Sequence, residues 1–208
     1  MNSNITKQIK KRIYKSNIMK YVSKEKIKNA LENISENDSI HNNIYNVLSY
    51  LSTQIDENNN IIKKGIETSE NYQFSKILNK GCTDYLASKI SGENSEKYPQ
   101  CNELFSKLEP MLIKHTGNEE ILTEIYLNNK VELIKDICNN YISKGTFENI
   151  YHNFLFMEKE EIDEIINKMN EYKEVKLEVI NQRSIIKIIM QKIRNLFVRR
   201  EQKSLNEL

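Results

Sequence analysis

The sequence predicts an all-α fold, a multi-helix bundle of about eight to ten helices with one long C-terminal amphipathic helix. Three observations carry this expectation. Only 5 Gly and 2 Pro occur in 208 residues, too few for the many turns of a β-sandwich or barrel. Ile and Leu recur three and four residues apart along most of the chain, the period of a helix that buries one face. From Ile162 onward the apolar residues also keep a seven-residue register. Hydrophobic residues make up only 38%, but the net charge is +2, whereas disordered chains combine low hydrophobicity with high net charge. A chain of this length buries roughly 70% of its unfolded surface and folds without cross-links.

The elements follow in order. Ile5, Ile9 and Ile13, with Lys7, Lys10, Lys11 and Arg12 between them, read as a basic amphipathic helix. Ser23 is placed to cap a second helix with Glu25 in its first turn and Ile27, Leu31 and Ile34 on one stripe. Asp38 or Ser39 caps a third, with the stripe Ile40, Ile44, Val47, Leu48, Leu51 and Ile55, which ends in the polar loop "DENNN". A weaker segment has Ile61, Ile62 and Ile66 around Gly65. Ser69 is then placed to cap a helix through Leu78 that Gly81 ends, and Thr83 to start a short helix ended by Gly92.

The stretch "GENSEKYPQ" gathers Gly, Asn, Ser and Pro between helical patterns. The chain is therefore one helical domain, 1–208, or two lobes, 1–91 and 100–208, joined near 92–99. Beyond it Leu104, Phe105 and Leu108 lead to Pro110, a break or a helix start, and Gly117 stops the run Met111–Ile113. Residues 118–145 read as a helical hairpin meeting at Asn128 and Asn129, with Asn118 capping and Gly145 closing it. No second copy follows at a period of about 33, so it is not a repeat array. Thr146 caps a helix with Ile150, Tyr151, Phe154 and Leu155.

The last element is the longest. With Ile162 at the first position, the register runs through Ile165, Met169, Tyr172, Val179, Ile186, Met190 and Ile193 to Phe197, with Lys176 and Arg183 as the charged exceptions. Residues 158–200 thus read as one helix of about 60 Å. In its last part Ile185, Ile186, Ile189, Ile193, Leu196 and Phe197 belong to an apolar arc of about 200°, wider than a surface helix needs. They are the candidate interaction surface. Core packing or self-association ranks first for it, a partner's groove second, and a membrane surface third.

Charge is unevenly placed. Residues 1–28 hold nine Lys and Arg against Glu25, and residues 183–203 hold seven against Glu201, while the middle, 29–182, carries −11. The basic ends fold back on the acidic middle, or they face an external anion. In the second case Lys7, Lys10, Lys11, Arg12, Arg194, Arg199 and Arg200 are the candidate anion-binding residues.

Catalytic patterns are scarce. His41, His115 and His152 lie far apart, and no ligand cluster has zinc spacing, so no metal or other cofactor is expected and each His is assigned to the surface or its boundary. No phosphate-binding glycine loop or nucleophile elbow occurs. Cys82, between Gly81 and a capped helix, is the one thiol that a helix N-terminus could activate, with His115 or His152 as base. The alternative is a small apolar residue at a junction. Cys101 and Cys138 fall on apolar stripes. Three cysteines without close spacing point to a reducing compartment, the cytoplasm or a host cytosol into which the protein is delivered. The N-terminus lacks a signal-peptide pattern, and no run of about 18 apolar residues spans a membrane. Abundant Asn, Ile and Lys reflect an AT-rich genome. Tyr14 and Tyr21 within the basic N-terminus are the only hint of base stacking.

Together these readings predict a non-catalytic helical interaction or regulatory protein, host-directed or viral in one version, binding a protein partner or a second copy of itself. The alternative is a peripheral binder of an anionic surface, membrane or nucleic acid, through its basic terminal helices.

Overall fold

A computed structural model describes residues 4–58, 60–67, 75–95, 97–153, 157–169 and 171. The chain divides into two compact units, Met1–Met169 and Asn170–Leu208, and the described residues belong almost entirely to the first.

That unit is mostly helical, with one small two-stranded sheet. Helix α1 (Asn4–Lys15) buries Ile9 and Ile13, as their spacing of four requires. A left-handed Asn17 turns the chain into a short 3-10 turn, Ile18–Lys20, that buries Ile18. Helix α2 (Lys24–Glu32) is capped by Ser23, whose Oγ accepts from the Lys26 N–H at 3.2 Å. Helix α3 (Ile40–Leu51) is capped by Ser39 in the same way at 3.1 Å.

The expected stripe of α3 through Ile55 is cut short. The Ser52 and Thr53 hydroxyls both donate to the Ser49 carbonyl, at 3.1 and 2.8 Å, and the chain leaves the helix there. It continues as strand β1 (Thr53–Ile55), which pairs antiparallel with β2 (Ile61–Lys64). The all-α expectation is corrected by this hairpin. "DENNN" is its tip, tied by Asp56, whose carboxylate accepts from Asn58 N, Asn60 N and Asn60 Nδ2 at 2.9, 2.8 and 3.0 Å.

Helix α4 (Ser75–Ser91) is one uninterrupted helix. Gly81 and Thr83 lie inside it and are neither its end nor the next start. It crosses α1, α3 and α5 and touches α8, so it is buried on nearly every side: Leu78, Cys82, Leu86 and Ala87, but also Asn79, Thr83 and Asp84. A helix covered all round shows no amphipathic stripe, which is why its pattern reads as two weak fragments. Gly81 is required at the crossing with α5 (Pro99–Thr116), because an added Cβ would overlap the Cys101 Cβ and lie 2.5 Å from its Sγ.

Pro99 opens α5, and Pro110 sits within it instead of breaking it. Pro110 and Ser106, the residue whose carbonyl loses its partner, are both exposed, so water can serve that carbonyl. Gly117 ends the helix at φ 70°, its N–H meeting the Ile113 carbonyl at 2.7 Å. Helices α6 (Ile121–Asn128) and α7 (Glu132–Tyr141) meet at a left-handed Asn129, but they do not pair as the hairpin the sequence suggests: α6 packs on α5, and α7 on α5 and on the helix that follows. Helix α8 (Thr146–Asn153) follows. Residues 159–169 are helical and bury Ile162, Ile165, Ile166 and Met169. The rest of the long helix expected over 158–200 lies outside the described residues, as do Ser69, Phe154 and Leu155.

Candidate functional site

Three buried polar clusters surround α4. In the first, Asn79 holds the chain leaving β2: its Oδ1 accepts from Ile66 N at 3.0 Å and its Nδ2 donates to Glu67 Oε1 at 2.8 Å. Asn129 Nδ2 donates to the carbonyls of Gly65 and Glu67 at 2.6 and 2.8 Å, and the Tyr151 hydroxyl to that of Ile66 at 2.9 Å. One turn along α4, the Thr83 hydroxyl meets Tyr126 OH at 2.6 Å, which also accepts from Ser52 Oγ. Burial raises the Glu67 carboxyl pKa, outweighing the opposing pull of Asn79 and of the Lys64, Lys76 and Lys80 charges.

In the second cluster His41 Nε2 lies 3.3 Å from Asp84 Oδ1, and Asn102 Nδ2 donates to Asp84 Oδ2 at 3.1 Å. Asp84 is wholly buried and His41 is 7% exposed, so this histidine is neither the surface nor the boundary residue the sequence suggests: it fills the α3–α4 contact opposite an acid. In the third, Glu109 Oε2 accepts from Tyr85 OH at 2.8 Å and Lys89 Nζ at 2.6 Å.

Cys82 lies inside α4 rather than at a helix N-terminus, is wholly buried, and has its thiol pKa pushed well up by that burial. Burial likewise raises Cys101 and Cys138 to about 12. Among the described residues no group of three or more His, Cys, Asp or Glu is placed to hold a metal ion, and no helix is long and apolar enough to cross a membrane.

Two surface features are open to a partner or ligand. The first is the β1–β2 hairpin. Its register shifts by one residue between Gln54 and Ile55, setting Ile61 opposite Ile55 with Ile62 as the extra residue. All three isoleucines are about half exposed, at 55%, 54% and 49%. The sequence does contain a signal: an Ile on each side of a five-residue polar run is a hairpin pattern, but Ile55 also fits the spacing of the α3 stripe.

The second is α1. With Ile9 and Ile13 turned inward, Lys7, Lys11 and Lys15 are exposed four residues apart, and Lys10 and Arg12 are partly buried at the flanks. Between the end of α1, α4 and the start of α6 lies a groove of about 320 Å³, lined by Arg12, Lys15, Ser16, Leu86, Lys89, Ile90, Glu119, Glu120 and Thr123. The basic N-terminal segment does fold back on one acid: Glu120 accepts from Asn17 Nδ2, from Lys20 at 3.2 Å and from Tyr21 OH at 3.5 Å. Arg194, Arg199, Arg200 and the apolar surface Ile185, Ile186, Ile189, Ile193, Leu196 and Phe197 lie outside the described residues. Comparison with family models, with curated proteins and with solved structures finds no match.

Proposed function

We propose that the protein is a non-catalytic interaction or regulatory protein that binds a protein partner, with the β1–β2 hairpin as a contact surface. The observation that supports this reading most is the exposure of Ile55, Ile61 and Ile62 together on one short hairpin. Single exposed apolar residues are ordinary, but three grouped β-branched side chains on one short hairpin favour a protein contact. Lys26 Nζ donates to the carbonyls of Leu51 and Thr53 at 2.8 and 2.7 Å, occupying the β1 side, which leaves β2 as the edge for a partner strand. Lys63 and Lys64 at the hairpin base suit a partner whose apolar surface is bordered by carboxylates. The sequence's own surface, Ile185 to Phe197, belongs to the same proposal as a second contact or a self-association face. Three buried free thiols suit a reducing compartment.

The test is capture from native extract with the wild-type chain and an Ile61→Ser/Ile62→Ser variant, followed by titration of the purified captured protein. The expected result is a protein bound at least tenfold more weakly by the variant, with an unchanged melting temperature. Equal retention by both chains, or no retained protein, overturns the reading.

One observation favours a second reading, the binding of an anionic surface: the exposed Lys7, Lys11 and Lys15 along one side of α1. It requires binding to anionic vesicles or nucleic acid that falls steeply with salt.

A further inference from the structure

We propose that the groove between α1, α4 and the start of α6 binds a small organic anion, a carboxylate or phosphate monoester carrying an apolar body. The inference goes beyond the hairpin and does not depend on it. The groove has the volume of a small-molecule site, about 320 Å³. Arg12 and Lys15 are three residues apart on α1, on one face of the helix, and both line it. Neither meets a carboxylate among the described residues, although two acids line the same groove.

The reason is geometric. Glu120 is already held by Lys20, Asn17 and Tyr21, and Glu119 belongs to the wall formed by the start of α6. Neither cation pairs with these acids, so both remain available to an anion that enters the groove from outside. An Arg fork is matched to the two oxygens of a carboxylate or phosphate, and a neighbouring Lys adds a second charge. Arg12 is also positioned: its guanidinium passes Gly92 at the C-terminal end of α4, where an added Cβ would sit 3.7 Å from Nη1. Leu86 and Ile90 supply an apolar wall for the ligand's body. Glu119 repels a second anionic group and favours a ligand with one charged end.

The experiment is an amide-resonance titration of the full chain with four probes: hexanoate, hexyl phosphate, hexanol and inorganic phosphate. Saturable shifts confined to residues near Arg12–Ser16, Leu86–Ile90 and Glu119–Thr123 are expected with hexanoate or hexyl phosphate. Hexanol and inorganic phosphate, each lacking half of the required chemistry, should bind at least tenfold more weakly. Arg12→Gln/Lys15→Gln should weaken binding at least tenfold. Lys24→Gln/Lys28→Gln, with the same loss of charge on exposed positions of α2, should leave it unchanged. Arg12→Lys keeps the charge without the fork and should weaken binding severalfold, which serves if the double variant does not fold. No saturable shift with any probe at about 10 mM, far above a millimolar Kd, overturns the proposal. Equal weakening by the α2 variant overturns it too, since binding would then follow overall charge.

Discussion

Gly81 of α4 and Cys101 of α5 touch so closely that no side chain fits at position 81: an added Cβ would overlap the Cys101 Cβ and lie 2.5 Å from its Sγ. Gly81→Ala improves helix propensity by about 1 kcal/mol yet forces the two helices apart. Overpacking of this kind costs about 1–3 kcal/mol or more, so the variant should be less stable than the wild type in urea. Cys101→Gly in the same chain should recover part of the loss. A variant as stable as the wild type would show that the crossing relaxes freely.

Asp84 is a wholly buried acid that faces His41 at 3.3 Å and accepts from the part-buried Asn102 at 3.1 Å. Asp84→Ala removes the carboxylate, while His41 keeps the carbonyl of residue 84 at 3.4 Å and Asn102 that of Ser95 at 3.1 Å, and should cost about 1–3 kcal/mol of unfolding free energy. Asp84→Asn keeps one acceptor and should cost about half as much. A loss under about 1 kcal/mol for Asp84→Ala would mean water replaces the carboxylate at little cost.

Glu67 links pH to stability. Its carboxyl pKa is raised by burial, so the folded chain holds this proton more tightly than the unfolded chain. Its contribution to stability is therefore fully present below the ordinary glutamate value of 4.5 and is lost as pH rises through the folded pKa. Glu67→Gln removes that loss while keeping an oxygen for Asn79. The variant should gain melting temperature relative to the wild type at pH 7 and gain least at pH 4. A gain that is the same at both pH values would show that ionisation of Glu67 is not what matters.

Cys82, Cys101 and Cys138 should react slowly with iodoacetamide at neutral pH and rapidly once denaturant is added, because burial both blocks access and disfavours the thiolate. Mass spectrometry of peptides labelled under native conditions checks this. Fast, selective labelling of Cys82 would reopen a nucleophilic role for it.

What the sequence determined by itself is local. Ser23 and Ser39 cap their helices, Gly117 stops α5, "DENNN" is a turn, and Ile9 and Ile13 face inward, because caps, turns and helical periodicity depend on neighbours within a few residues. Only the tertiary structure decided the rest. Gly81 reads equally well as a helix end or a close crossing until Cys101 is brought against it. The pattern of α4 is blurred because neighbours cover it on nearly every side, leaving no solvent face to mark the period. His41 is buried because Asp84, 43 positions away, lies opposite it. The sequence marks Arg12 as a candidate anion-binding residue of a basic helix; only the fold sets it with Lys15 on a groove between α1, α4 and the start of α6. Such features arise from distances between residues far apart in the chain, and a linear pattern carries no record of those distances.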